Sequence, residues 1–282
     1  MARTDGWLER HHFLLRRLHS LTGVAPIGVF LLFHLTTNAS IVWGRVSGGG
    51  AYGGHGGVTT FQHEVNFIHS LPALLLIEIF GLWLPLIFHS LLGIVYAAGG
   101  RSNVSRYGYQ DNWRYSLQRV SGYVGFLFIF YHVATLRWGW TFLVPGGTEW
   151  KAEYAASTMA AALRGGEAGI TPLGYLVSAF YMVGVSLLVF HLANGLWTAA
   201  ITWGLTISEK AQRRWGQVCA AIGFVLMGMA WAGVIGFATL GHTEARLIED
   251  GILGGHGPET DAGGPAPDVA SAPDPEATRP GS

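Results

Sequence analysis

The chain has 282 residues, half of them hydrophobic and only 12% charged, with a formal net charge of zero. That charged fraction is about half the usual value for soluble domains, which excludes an ordinary soluble protein. A single cysteine, Cys219, excludes an internal disulfide, a cysteine-ligated iron–sulfur cluster and a covalently attached c-type haem.

The charges also cluster. No Asp, Glu, Lys or Arg falls within 18–44, 79–100, 120–136, 168–208 or 215–243. A helix needs ~20 apolar residues to cross a bilayer, and four of these windows reach that length. The shorter window, 120–136, is extended by charged side chains that snorkel from its ends. The predicted fold is an all-α membrane protein with five transmembrane helices, of which the first four form a bundle.

In chain order, residues 1–18 form a basic lead-in, where Trp7, Leu8, Phe13 and Leu14 suit an interfacial helix. A five-helix transmembrane domain covers 19–240. Its first span, about 19–43, contains Pro26, which neighbouring helices accommodate in a membrane. This span is longer than a signal-peptide core and is expected to be retained. Residues 44–70 read as an external loop with a glycine-rich tract from Ser47 to Gly57. No strand precedes the tract, so it is a flexible insertion and not a phosphate cradle. Span two covers about 71–98 and span three about 118–138. Span four, about 172–204, opens at Pro172, a residue suited to a first helical turn. Its one internal turn signal, Asn194-Gly195, leaves too short a remainder for a second crossing. Span five covers about 215–240. The tail, 241–282, is rich in Gly, Pro, Ala and Asp from Gly251 and is predicted to be disordered. No soluble catalytic domain is expected.

Lys and Arg set the orientation. The N-terminus and the second and fourth connections carry Arg3, Arg10, Arg16, Arg17, Arg101, Arg106, Arg114, Arg119, Lys210, Arg213 and Arg214. The opposite side carries only Arg45, Arg137, Lys151, Arg164, Arg246 and Arg279, spread over longer segments. The N-terminus is therefore expected in the cytoplasm and the C-terminus outside. The eleven Trp residues fall mostly near span ends, as an aromatic belt.

Spans one to four each hold one deep histidine: His34, His89, His132 and His191. An imidazole in hydrocarbon needs partners for its nitrogens, since an unpaired polar group there costs several kcal/mol. His34 lies 11 residues before Arg45 and His132 lies 5 before Arg137, whereas His89 lies 17 after Pro72 and His191 19 after Pro172. At ~1.5 Å per residue the depths from the outside are ~8–16 Å and ~25–29 Å. His34 and His132 thus form an outer layer, and His89 and His191 a cytoplasmic one roughly 15 Å away. Two bis-histidine b-type haems stacked across the membrane fit this pattern. The alternatives are core histidines bonded to backbone carbonyls, a proton relay, or a histidine-lined transporter or proton channel without haem. A bc-type scaffold, with two histidines on each of two helices, fits less well. Here only His19 and His34 share a helix, and His19 sits at the membrane edge.

Several stretches carry a family resemblance. They are Arg16-Arg17-Leu18-His19-Ser20-Leu21-Thr22-Gly23-Val24 running into Phe33-His34-Leu35, Ser70-Leu71-Pro72, and Glu78-Ile79-Phe80 running into Leu84-Pro85-Leu86-Ile87-Phe88-His89. Asn112-Trp113, Gln118-Arg119-Val120-Ser121-Gly122, Tyr131-His132-Val133, Phe190-His191-Leu192-Ala193-Asn194-Gly195-Leu196-Trp197 and Thr202-Trp203-Gly204 continue them. Over about 8–240 the chain resembles the two-haem cytochrome b membrane anchor of succinate:quinone oxidoreductases (succinate dehydrogenases and fumarate reductases). The resemblance implies that His34/His132 hold an outer haem and His89/His191 one nearer the cytoplasm. It implies a flavoprotein and an iron–sulfur subunit as cytoplasmic-side partners, and a membrane quinone of menaquinone type as substrate. Contact with lipid is expected, contact with nucleic acid is not, and the chain should have no succinate site of its own. The glycine-rich insertion and the long tail depart from the family pattern.

Haem propionates need donors at helix ends. Arg17, His19, Ser20, Trp113, Gln118 and Arg119 gather at the starts of spans one and three and are candidates for propionate or quinone contact. Positive-inside topology and interfacial anchoring explain the arginines equally well. Quinol oxidation needs a proton acceptor, and Glu64, Glu78, His63 and His69 stand at the outer haem's depth. For Glu64, His63 and His69 a solvated loop is the plainer reading. His11, His12, His55, His242 and His256 read as surface residues.

Overall fold

The computed structural model describes residues 10–47, 56–99 and 110–254. Most of the glycine-rich tract, the basic residues Arg101 and Arg106, the start of the lead-in and the tail from 255 lie outside the described residues. Within them the chain is helical and forms no strand. Five helices are long and apolar enough to cross a bilayer: His12–Val46, Leu74–Gly99, Asn112–Leu136, Pro172–Thr202 and Glu209–Thr239.

Span one comprises α1 (His12–Thr22), a π-helical turn (Gly23–Ile27) and α2 (Gly28–Ser47). Pro26 lies inside the π turn. Lacking an N–H, it cannot make its α-helical bond, and the wider turn absorbs its ring without breaking the span. After α3 (Gly56–Ser70), a tight link with Ala73 at φ 57° opens span two. That span is α4 (Leu74–Ile77), a second π turn (Glu78–Trp83) and α5 (Leu84–Gly99), again beside a proline, Pro85. Span three is α6 (Gln110–Leu136). After α7 (Ala155–Arg164), span four is the single helix α8 (Pro172–Thr202). The Thr171 side chain caps α8 by accepting from Gly174 N, with Pro172 in its first turn, as expected from the sequence. Ser208 caps span five, α9 (Glu209–Thr239), in the same way, and α10 (His242–Leu253) follows.

The apolar side chains of the spans face outward. None of the most apolar stretch of span two is buried, and Phe33 and Phe224 are 67% and 81% exposed. Surface of this kind is solvated by lipid. Inside, α9 packs on α8 and α2, α6 packs on α8, and α1 packs on α5.

The loop and tail expectations need correction at two places. Residues 56–70 are helix α3, not loop, and residues 242–253 are helix α10, not disordered tail. Together with α7 they form a folded cap over one end of the bundle. Val58, Phe61 and Val65 of α3 recur at helical spacing and bury against Phe237, Ala155 and Met159. Nine successive residues of α7, Ala155–Leu163, are buried, so this alanine-rich helix is the centre of the cap. Its first N–H groups need acceptors. Glu249 of α10, 0% exposed, accepts from Ala156 N (2.7 Å), Ser157 N (3.1 Å) and Ser157 Oγ (2.5 Å). Gln62 of α3 accepts from Ala155 N (3.1 Å) and donates to Ala152 O (2.7 Å). Burial pushes the Glu249 carboxyl up from its ordinary range, against the opposing pull of these donors and of Arg246.

Candidate functional site: two histidine pairs

Each deep histidine meets one other across the bundle. His34 of span one and His132 of span three stand with ring centres 5.7 Å apart and planes at 86°. His89 of span two and His191 of span four stand 6.1 Å apart at 84°. The pairs occupy two levels. Gly122, which faces His191, lies ten residues before His132 on the same helix, about 15 Å along its axis.

The ring nitrogens of the second pair are assigned by their neighbours. His89 Nδ1 lies 2.9 Å from His19 O, and His191 Nδ1 lies 3.1 Å from Gln118 O. A carbonyl only accepts, so Nδ1 carries the proton in both rings and Nε2 keeps a lone pair. Metal-binding histidines are oriented by this kind of contact. Ser121 Oγ, fully buried, adds a contact to His191 Nδ1 at 3.2 Å. The Gln118 amide donates to His191 O (3.1 Å) and accepts from Asn194 (2.8 Å), whose own carbonyl accepts from Arg114 Nε (2.8 Å). Two glycines make room for the rings. A Cβ at Gly122 would meet His191 Cε1 at 3.2 Å, and one at Gly23 would collide with His89.

The first pair is held by packing. Phe30 stacks on His34 (5.3 Å), while Phe128 and Tyr181 each stand 5.9 Å from His132. Asn38 donates to His34 O at 2.8 Å. His132 Nδ1 is buried with no partner among the described residues.

These pairs suit haem iron. Two metal–nitrogen bonds of about 2 Å on opposite sides of one ion put imidazole centres about 6 Å apart, the separation both pairs have. Among the described residues no three His, Cys, Asp or Glu gather around a point. A metal held here must therefore bring its own remaining ligands, as haem does. Buried polar atoms with no partner among the described residues also lie by the second pair: Arg17 Nε, His19 Nδ1, Tyr96 OH and Arg119 Nε. Anionic propionates would satisfy such donors.

The other sequence candidates divide. His19 stacks on His89 (4.0 Å, 9°) and Gln118 bonds His191, so both touch the second pair. Arg17 lies over Phe13 and Trp203, and Arg119 donates to Ala97 O. Ser20 is half-buried, and Trp113 is 54% exposed. At the capped end, Glu64 accepts from the Thr37 hydroxyl at 3.4 Å, and Glu78 pairs with Arg137 at 2.9 Å. His63 and His69 are exposed on α3. Sequence reasoning missed Asn38, Arg114, Ser121, Asn194 and Tyr181 as neighbours of the pairs. A signal was available: Asn38 and Asn194 stand four and three residues after a deep histidine, on the same helix face.

No family model matches the chain, and no solved structure matches it. The chain is 34% identical over 206 residues to the succinate dehydrogenase cytochrome b558 subunit of Bacillus subtilis (strain 168). The match spans 71% of this chain and 85% of that protein. With five helices long enough to span a membrane and this relationship, the chain belongs to the cytochrome b membrane-anchor subunits of succinate dehydrogenase.

Proposed function

We propose that the chain holds two b-type haems, each between two histidines, and carries electrons between a membrane quinone of menaquinone type and the iron–sulfur subunit. The observation that carries this reading is the crossing of the four rings in two pairs at about the spacing a shared iron requires. A bis-histidine haem has no open coordination position and so supplies electron transfer, not oxygen chemistry. The residues of the chain hold and orient. Gln118 O and His19 O keep Nδ1 protonated in His191 and His89, so that both present Nε2. Arg17, His19, Tyr96 and Arg119 offer donors to propionates, and the apolar spans keep water away. Ser20 and Trp113 serve the same end of the bundle at its edge.

The density of Lys and Arg at the uncapped end favours a cytoplasmic N-terminus and an external C-terminus and cap. The flavoprotein and iron–sulfur subunits then dock at the His89/His191 end, and succinate is handled there, outside this chain. Glu64, Glu78, His63 and His69 belong to the opposite end and are the candidates for quinone-linked proton transfer. Glu64 bonds Thr37, three residues past His34, which makes it the carboxylate nearest the outer pair by helix register.

The reduced-minus-oxidised spectrum of the purified complex tests the reading, since two b-type components are expected and none would overturn it. For the proton candidates, quinone-linked turnover should fall in Glu64→Gln or Glu78→Gln. Unchanged turnover in both removes them.

A further inference from the structure

Span five carries no deep histidine, yet it lies flush against the helix face that bears His34. We propose that Asn38 is a positioning residue for His34, and that span five acts on the outer histidine pair through it. This rests on the reading of His34 and His132 as haem ligands.

Asn38 Nδ2 donates to His34 O at 2.8 Å and lies 3.5 Å from His34 Nε2. The first contact fixes which end of the amide is nitrogen, because a carbonyl cannot donate. The second is too long for a strong bond, so the amide acts as a stop that sets where the ring stands. Phe30, one turn to the other side, stacks on the same ring at 5.3 Å. His34 is thus bracketed by its own helix, apolar on one flank and polar on the other. An amide in a lipid-facing span requires a partner, and His34 supplies it.

Asn38 is backed by span five. A Cβ at Gly233 of α9 would meet Asn38 Cβ at 3.3 Å and its backbone C and O at 3.4 Å. One turn on, a Cβ at Gly236 would meet Val42 Cγ2 at 3.0 Å. Leu226 and Ala230, both buried, lock α9 against Leu35 and Val189. Glycine at 233 is what lets α9 approach closely enough to hold the Asn38 side of α2 in place. The ring protons of the inner pair go to carbonyls of α1 and α6, with no contribution from α9.

The test uses the purified complex carrying Asn38→Leu, similar in volume but without a donor, and separately Gly233→Val. The outer haem is the component that His132→Ala removes. Reduced haem closed by two histidines does not bind carbon monoxide, whereas a displaced His34 opens a position. In both variants the carbon monoxide-binding fraction should rise from near zero towards half of the haem. The outer component should shift its midpoint potential while the inner one stays put. Two closed haems with unshifted midpoints in Asn38→Leu would overturn the proposal, as would equal change in both haems. Absence of haem from the unsubstituted complex is a different result, which removes the reading of the histidines themselves.

Discussion

The two histidine pairs are alike in ring geometry and unlike in what holds them. The inner rings are fixed by hydrogen bonds from Nδ1 to carbonyls of neighbouring helices, at 2.9 Å and 3.1 Å. Behind one of them stands a chain of polar side chains: Gln118, Asn194 and Arg114. The outer rings are fixed by aromatic neighbours and by one amide, and His132 Nδ1 has no partner among the described residues. Directional bonds fix both tautomer and angle, while packing fixes the place and plane of a ring and leaves its tautomer open. The same ring geometry can thus be built by two routes, and the two pairs should fail differently.

The largest expected effect is loss of a haem. Replacing any one of the four histidines by Ala should remove half of the haem, with His34→Ala and His132→Ala losing the same component. Losing the same component from His34→Ala and His89→Ala breaks the pairing. Next, Gly122→Val should disturb the inner component alone, because even a Cβ would stand 3.2 Å from the His191 ring. Equal disturbance of the outer component would show that the two sites are not independent. A smaller effect is expected from Asn194→Leu, which removes the bond to the Gln118 side-chain carbonyl and the one from Arg114 Nε. The cost is about 1–3 kcal/mol, seen as earlier thermal loss of the inner haem band.

Glu249→Ala should destabilise the cap by a similar ~1–3 kcal/mol, because three donors lose their acceptor, and protease nicking of 56–70 or 242–253 reads this out. The carboxyl is raised in the fold, so its contribution is complete at pH below its ordinary range and declines as pH rises through the raised value. Cap protection should therefore weaken with rising pH, and Glu249→Gln should flatten that dependence. The smallest effect belongs to Arg137→Gln, which breaks a pair whose arginine is 57% exposed and should change stability by less than about 1 kcal/mol.

The pairs were legible in the sequence because each histidine interrupts a charge-free window, and counting residues from the window ends orders them by depth. The cap was not legible, for reasons that are physical. Its helices are 15, 10 and 12 residues long, lie in segments rich in polar residues between or beyond the spans, and are joined by polar side chains. Nothing local marks Glu249 and Gln62 as buried, because their partners lie at a helix start 93 residues away. A buried acceptor and its donor leave no joint mark on a linear pattern. The π turns escaped for a related reason, since Pro26 and Pro85 announced an irregularity but not its form.

Glu249 lies beyond the last span, so the first turn of α7 cannot gain its carboxylate until the whole of span five has been made. Spans one to four, with all four rings, are complete earlier in synthesis. The order of the chain therefore leaves a bundle open at one end for the time needed to make span five and the helix after it. Closing of the cap then seals that end over spans already made, and α10, which follows span five, completes it.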